Sequence, residues 1–363
     1  MNTFGKTISL TIFGESHGLS IGAVLDGLPS GEVVDWDAVR SEMARRAPGK
    51  NKMSTARSEK DAFEVQSGFF NGHTTGTPLC AIIRNSDQHS RDYDQLRHIM
   101  RPGHADYSGK IRYGGFNDYR GGGHFSGRLT APLVFAGAVA SQILARHGIT
   151  VGSHILRLAG IADKPFDAAG ETAETLQALK KETLPVLDKA QAGPMEEKIL
   201  EAKDDLDSVG GVIECMVTGL PAGIGDPFFD SVESQLSHMM FSVPAVKGIE
   251  FGDGFALADL RGSQANDAFY YDGDAVKTRT NHNGGINGGI TNGMPVVFRL
   301  AVKPTASISQ KQETIDTDTK ENCDLVIKGR HDPCIVQRAI PVVEAAAAWA
   351  ILDVCLSEKG RCW

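Results

Sequence analysis

Hydrophobic and polar positions alternate near the start of the chain, where Ile8, Leu10 and Ile12 are separated by Ser9 and Thr11. That two-residue period predicts a half-buried strand, with Gly22-Ala-Val-Leu-Asp-Gly27 as its partner across a loop, Gly14-Glu-Ser-His-Gly18. A helix is predicted from an Asp35 N-cap to about Ala47, because Asp favours that position and Pro48-Gly49 ends the helical run. Segments 62–68 and 77–84 read as further strands, after which 85–130 is polar, glycine-rich and irregular. A loop of that length inside a compact fold is usually functional. Residues 131–146 read as a helix of small apolar residues, and the acidic stretch 167–207 as one or two surface helices broken at Pro185 and Pro194. Strands are predicted at 212–218 and 294–302, with a Gly-rich loop, 281–293, ahead of the second. A last helix is predicted over 341–357 with Pro341 in its first turn, where a missing N–H costs nothing. Strands and helices do not alternate regularly, so an α+β arrangement with antiparallel sheets is expected rather than a doubly wound sheet. No long repeat and no linker divides the chain, and one domain over 1–363 is expected.

Composition is that of an ordinary globular protein, 41% hydrophobic and 23% charged, but 41 glycines require many tight or unusual turns. The net charge of −8 argues against a surface that attracts nucleic acid throughout. Charge is nevertheless uneven: residues 40–60 carry seven Lys/Arg against Glu42 and Glu59, whereas 167–207 carry eleven Asp/Glu against five Lys. A basic pocket inside an acidic protein suits a small anion. The six cysteines (80, 215, 323, 334, 355, 362) contain no C-x-x-C pair, so neither a metal site nor a disulfide framework is expected, and reduced thiols fit a cytoplasmic protein. No secretory signal is read at the N-terminus, and the longest apolar stretches, 131–145 and 339–356, are interrupted by polar residues, so no membrane partner is expected.

Candidate chemistry lies in the Gly-rich loops. Gly14-Glu-Ser16-His17-Gly18 matches the G-x-S-x-G pattern of serine hydrolases, but the residues after Gly18 read as strand rather than helix, against a nucleophile elbow. His17, between glycines, can approach a ligand as acid or base. Arg101-Pro-Gly-His104-Ala-Asp106 presents a guanidinium, an imidazole and a carboxylate within six residues, although Arg101 and Asp106 would also make a plain surface ion pair. Arg120-Gly-Gly-Gly-His124-Phe125-Ser126-Gly-Arg128 uncovers backbone N–H groups, a natural anion cradle. Lys303-Pro-Thr305-Ala-Ser307 places an ammonium and two hydroxyls at a strand end, and Lys328-Gly-Arg330-His331-Asp332 reads as a charged tight loop. Neither a Walker A sequence nor a Rossmann fingerprint occurs.

Taken together, these blocks resemble the chorismate synthase family. The segments that carry the resemblance include Phe-Gly-Glu-Ser-His-Gly (13–18), Arg-Arg-Ala-Pro-Gly (45–49), Thr-Thr-Gly-Thr-Pro (74–78), Arg-Pro-Gly-His-Ala-Asp-Tyr (101–107) and Asp-Tyr-Arg-Gly-Gly-Gly (118–123). Gly-Leu-Pro-Ala-Gly-Ile-Gly (219–225), Arg-Gly-Ser-Gln (261–264), Asn-His-Asn-Gly-Gly-Ile (281–286), Lys-Pro-Thr (303–305) and Lys-Gly-Arg-His-Asp-Pro-Cys (328–334) come after them in the family's order. The resemblance implies loss of phosphate from 5-enolpyruvylshikimate 3-phosphate by anti-1,4 elimination, giving chorismate, with reduced FMN (FMNH2) required but not consumed. Two sources of the reduced flavin fit, NADPH at the enzyme itself or an outside supply. It further implies a single-domain β-α-β sandwich and a homotetramer.

Carried over by position, His17 resembles the acid serving the departing phosphate and His104 the imidazole beside the flavin pyrimidine that receives its proton. Asp332 resembles the carboxylate that assists the flavin, with Ser16 and Ser126 as hydrogen-bonding support. Arg46, Lys52, Arg101, Arg128 and Arg330 match the cations around substrate. His124, Phe125, Ser126, Pro244, Ala245, Gly288, Lys303, Pro304, Thr305, Ala306, Ser307 and Arg330 match flavin-binding positions. Family members commonly carry Arg-Ser at the positions of His124 and Phe125, Arg at Lys52, Asn at Pro244 and Ser at Ala306.

Overall fold

The computed structural model describes residues 1–49, 52–54, 61–85, 96–327 and 331–357. The first half builds strands β1 (Thr3–Phe4), β2 (Ser9–Gly14) and β3 (Ser20–Asp26), helix α1 (Trp36–Arg46), then β4 (Phe63–Ser67), a small hairpin β5 (Phe69–Phe70) and β6 (His73–Thr74), and β7 (Leu79–Arg84). The sheet β1-β2-β3-β7-β4 is antiparallel throughout, with Leu10 facing Leu25 and Ala23 facing Ala81. Alternation did its expected work here, and Asp35 caps α1 by accepting from the backbone N–H of Asp37 and Ala38.

The polar stretch 85–130 is not wholly irregular. It contains α2 (Asp106–Arg112) and two 3-10 turns, 120–125 and 127–129, that lead into α3 (Thr130–Arg146). The chain continues with β8 (Thr150–Leu158), β9 (Ile161–Ala162), α4 (Ala173–Leu179), α5 (Ala192–Asp204), β10 (Gly211–Thr218), α6 (Val232–Met240), β11 (Val246–Phe251) and a short α7 (Gly262–Ala265). Pro194 does not break a helix as expected but sits in the first turn of α5, where proline is tolerated. Hairpins β12 (Phe269–Asp272) with β13 (Ala275–Thr278) and β14 (Ile286–Asn287) with β15 (Ile290–Thr291) precede β16 (Val296–Val302). A third hairpin, β17 (Lys311–Asp316) with β18 (Glu321–Val326), precedes the final helix α8 (Val336–Ser357). The second large sheet, β11-β16-β10-β8-β9, is also antiparallel.

Helix α8 starts five residues before Pro341, so the proline lies inside it rather than at its start. The displaced start removes only one helical hydrogen bond, and the apolar run behind Pro341 offsets that loss by burial. α3 lies on β3 and β2, α8 on β8 and β10, and the two helices pack on each other so closely that a Cβ at Gly137 would fall 2.2 Å from the Ala345 backbone. Only small residues allow that approach. The helical stretches Gly127–Arg146 and Val336–Ser357 are apolar and long enough to cross a membrane, yet 83% and 100% of their apolar windows are buried in the protein, where they form its core.

Two buried ionic devices tie these layers together. Asp353 on α8 accepts hydrogen bonds from the backbone N–H of Lys6, Thr7 and Ile8, at 2.8–2.9 Å, and so anchors the turn before β2. In the second sheet, fully buried His154 lies between Asp163 Oδ2 and Glu214 Oε2, each at 3.0 Å. Burial works against the imidazolium, but hydrogen bonds to both carboxylates outweigh it and raise the pKa of His154 above 6.5. Burial likewise opposes ionisation of Asp163 and Glu214, and their hydrogen bonds overcome it and lower both.

The imidazolium contributes stability below about pH 6.5 that is lost as pH rises through its folded pKa, and the carboxylates contribute stability above about pH 4.5 that is lost as pH falls through theirs. Urea unfolding at about pH 6 and about pH 9 should therefore show wild type losing stability on the alkaline side relative to His154→Gln. Equal pH slopes in the two proteins would contradict this assignment.

Candidate active site

A cavity of about 750 Å³ opens where the loops after α1, before α2 and before α3 meet the start of α8 and the end of β16. Each cation in it arrives on a structured support. Arg46 occupies the last turn of α1, 2% exposed, and donates from Nε to Asp61 Oδ2 at 3.1 Å while Nη2 lies 2.8 Å from the same oxygen. Arg128 sits in the 3-10 turn capped by Ser126, whose hydroxyl accepts from the Arg128 N–H. Its Nη1 reaches Asp61 Oδ1, and its Nε donates to Asn85 Oδ1 at 3.1 Å. Asp61, fully buried and held in the left-handed region at φ 47°, thus joins two guanidiniums contributed from distant parts of the chain.

The segment before α2 is braced from below by the β17–β18 hairpin: Ile99 bridges Asp316, Met100 N–H donates to Ile315, and Thr314 donates to the Met100 carbonyl. That bracing presents Arg101, whose Nε and Nη2 each donate to Asp106 at 2.7 Å and whose Nη1 reaches Ser307 Oγ at 3.2 Å. The Arg101–Asp106 pair is therefore buried rather than a surface ion pair. Burial alone would raise the Asp106 carboxyl, but its hydrogen bonds to Arg101 and His104 outweigh burial and hold it well below the usual carboxylate range.

The triple glycine is the hinge of the site. Gly121, Gly122 and Gly123 have φ of 60°, 83° and 54°, a run of left-handed backbone closed to other L residues. A Cβ at Gly121 would fall 2.5 Å from the His17 ring, and one at Gly122 would fall 3.3 Å from His104 Cε1. Two imidazoles therefore press on consecutive residues of one turn. Gly123 accepts from the Ser16 N–H at 3.1 Å, and His124 Nδ1 lies 2.8 Å from the Gly14 carbonyl, which locks the β2–β3 loop onto the turn.

Lys303, Pro304, Thr305, Ala306 and Ser307 leave the end of β16 along one wall, with the Lys303 ammonium on the Gly103 carbonyl. The Thr305 hydroxyl is buried there without a hydrogen-bond partner among the described residues. Pro244 and Ala245 line the same cavity, as do His124, Phe125 and Ser126, and Asp332 enters it paired with Arg338 of α8. An apolar wall of Phe4, Leu133, Met239, Val243 and Val342 faces the cations.

Not every expected residue reaches this space. Ser16 and His17 are buried behind Gly121 rather than in the cavity wall, Lys52 is exposed, and Gly288 makes the exposed turn between β14 and β15. Arg330 and Lys328 lie outside the described residues. Asp61, Asp106 and Arg338 are the groups sequence reasoning missed or left as surface partners. Only Asp106 carried a signal, its place two residues after a histidine at a helix start. Ser16 stands in a strand-to-strand hairpin, so the hydrolase elbow is absent.

The family model for chorismate synthase matches residues 8–356. The chain belongs to the chorismate synthase family. Chorismate synthase of Chitinophaga pinensis is 46% identical over 360 residues, covering 99% of this chain and 98% of that one. That of Dehalococcoides mccartyi is 44% identical over 355 residues, with 98% and 96% covered, and that of Methanosarcina mazei 43% over 352, with 97% and 95% covered. A crystal structure of chorismate synthase superposes with a TM-score of 0.77 at 28% identity, covering 99% of this chain and 95% of that one. The mixed helix and antiparallel-sheet architecture is thus that of a chorismate synthase, and the family implies a requirement for reduced flavin.

Proposed function

We propose that this chain is a lyase that eliminates phosphate from 5-enolpyruvylshikimate 3-phosphate in an anti-1,4 sense to give chorismate, the last step of the shikimate pathway towards aromatic amino acids. The observation that carries the reading is the cavity that gathers Arg46, Arg101, Arg128 and Lys303 beside the turn against which His17 and His104 both pack. The substrate bears two carboxylates and a phosphate, and guanidinium forks match those groups in charge and shape. A cavity of about 750 Å³ lies towards the upper end of the range of about 300–1,000 Å³ for ligand sites, room for a substrate and a flavin together.

The residues fit FMN. The buried Thr305 hydroxyl, unpartnered among the described residues, stands beside Lys303 and Ser307 and suits the phosphate end, while Phe125, Pro244 and the apolar wall suit a flat ring. Reduced FMN, when bound, supplies the electron-rich ring chemistry that no side chain here offers. The protein's own work is placement and proton handling. By family position His17, which packs behind Gly121, is the acid for the departing phosphate, and His104, which lines the cavity, exchanges a proton at the flavin. Arg338 fixes Asp332 towards the same space, and Ser16 and Ser126 hold the two loops that carry these groups.

One domain, a β-α-β sandwich of two sheets about α3 and α8, is part of the same proposal, supported by a single large core that draws on both sheets. So are cytoplasmic residence and a homotetramer, for which exposed rings such as Phe228 and Phe229 offer apolar surface to cover. NADPH as flavin reductant is tested directly by the same assay. Anaerobic protein with FMNH2 should release phosphate and form chorismate in equal amounts, and oxidised FMN with NADPH should support turnover only if the chain reduces its own flavin. No phosphate above a protein-free control would end the reading.

A further inference from the structure

The orientation of His104 is set by its neighbours. Its Nδ1 lies 2.6 Å from Asp106 Oδ1 and 3.0 Å from Arg101 Nη2. Arg101 is only a donor, and its Nη2 also gives an N–H to Asp106 at 2.7 Å, while Asp106 as a carboxylate is only an acceptor. Both contacts cannot be hydrogen bonds of one nitrogen, and the shorter, charge-assisted one decides: Nδ1 carries the proton and donates to Asp106. Nε2 is then the nitrogen left to exchange a proton, and the ring edge that bears it lies over Gly122, within 3.4 Å of where a Cβ would stand.

Asp106 is itself held from several sides. It accepts from Arg101 Nε, Nη2 and the Arg101 backbone N–H, and it opens α2 as that helix's first residue. The Phe125 ring fills the space beside Gly109, so closely that a Cβ there would fall 2.5 Å from Cε2, and so pins α2 against the cavity wall. Carboxylate, guanidinium and imidazole thus form one rigid unit.

We infer that Asp106 is the positioning residue of His104, holding a proton on Nδ1 so that Nε2 is the nitrogen that exchanges a proton at the cavity. The inference depends on the proton-transfer role proposed for His104. A carboxylate placed behind an imidazole in this way sets which nitrogen reacts without touching substrate. Asp106→Asn keeps the size but offers an N–H to Nδ1, which favours the opposite tautomer.

The test has a structural arm and a kinetic arm. ¹⁵N spectra of imidazole-labelled protein without flavin, with His104 assigned through His104→Ala, should show the Nδ1–H form in wild type and its loss in Asp106→Asn. With FMNH2 and the enol ether, Asp106→Asn should lower kcat by about 10²-fold, more than it raises KM, and Asp106→Glu should recover part of that. In a His104→Ala background Asp106→Asn should cost nothing further, because the two act through one group.

A wild-type ring with no proton on Nδ1 overturns the inference, and this holds even if the Asn variant fails to fold. Multiplying losses in the double variant, or a KM effect with kcat unchanged, overturn it too, the latter by assigning Asp106 to Arg101 alone. Absence of any turnover in wild type would count against the proposed function instead, and the tautomer would still decide the role of Asp106.

Discussion

His17→Ala and His104→Ala are each expected to lower chorismate formation by about 10²–10⁴-fold, the usual contribution of a positioned acid or base. The expectation is this large because the two rings pack on consecutive glycines, whose Cα atoms are about 3.8 Å apart. Proton transfers at a substrate and at the flavin beside it need that proximity. Neither substitution removes a cation or its counter-ion, since Arg101 keeps Asp106 and Arg46 keeps Asp61. Steady-state kinetics should accordingly show kcat falling with little change in KM, and circular dichroism should show an intact fold. Wild-type turnover in both variants would mean that the imidazoles are bystanders.

Asp61→Asn should be the most damaging single change to the cation cluster. Its carboxylate is fully buried between Arg46 and Arg128, and removing one partner of a buried ion pair costs about 3–5 kcal/mol because the remaining charges stay uncompensated. Here two guanidiniums would lose the carboxylate they share. Urea unfolding should register that loss, and substrate should restore more stability to Asp61→Asn than to wild type, because a bound anion replaces the missing charge. If the variant unfolds at the wild-type midpoint and gains no more from substrate, Asp61 does not hold the pair.

Much of this was legible in the chain, and the exceptions have physical reasons. Asp35 announced α1, and alternation at Ile8, Leu10 and Ile12 announced β2, because each signal is local. Strand β8 passed unread: five residues in a row, Val151 to Ile155, are buried, so no alternation marks it. The β17–β18 hairpin is polar in sequence and gave no hydrophobic pattern, though it carries the segment before Arg101. The catalytic candidates His17 and His104 stood out through the loops that hold them. Asp61 and Arg338 did not, because what they do depends on partners that only tertiary packing brings close.

The clamp of Asp353 on residues 6–8 spans nearly the whole chain, and it sits on a helix that is also half of the central helix pair. Closing contacts of such long sequence separation carries a large loop entropy before any gain is returned. The turn before β2 can therefore be clamped only after the 22 residues of α8 have been made and docked, so that contact forms late rather than progressively along the ribosome's output. A truncation in the second half of α8 should lose the whole site, although it removes none of the residues that line the cavity.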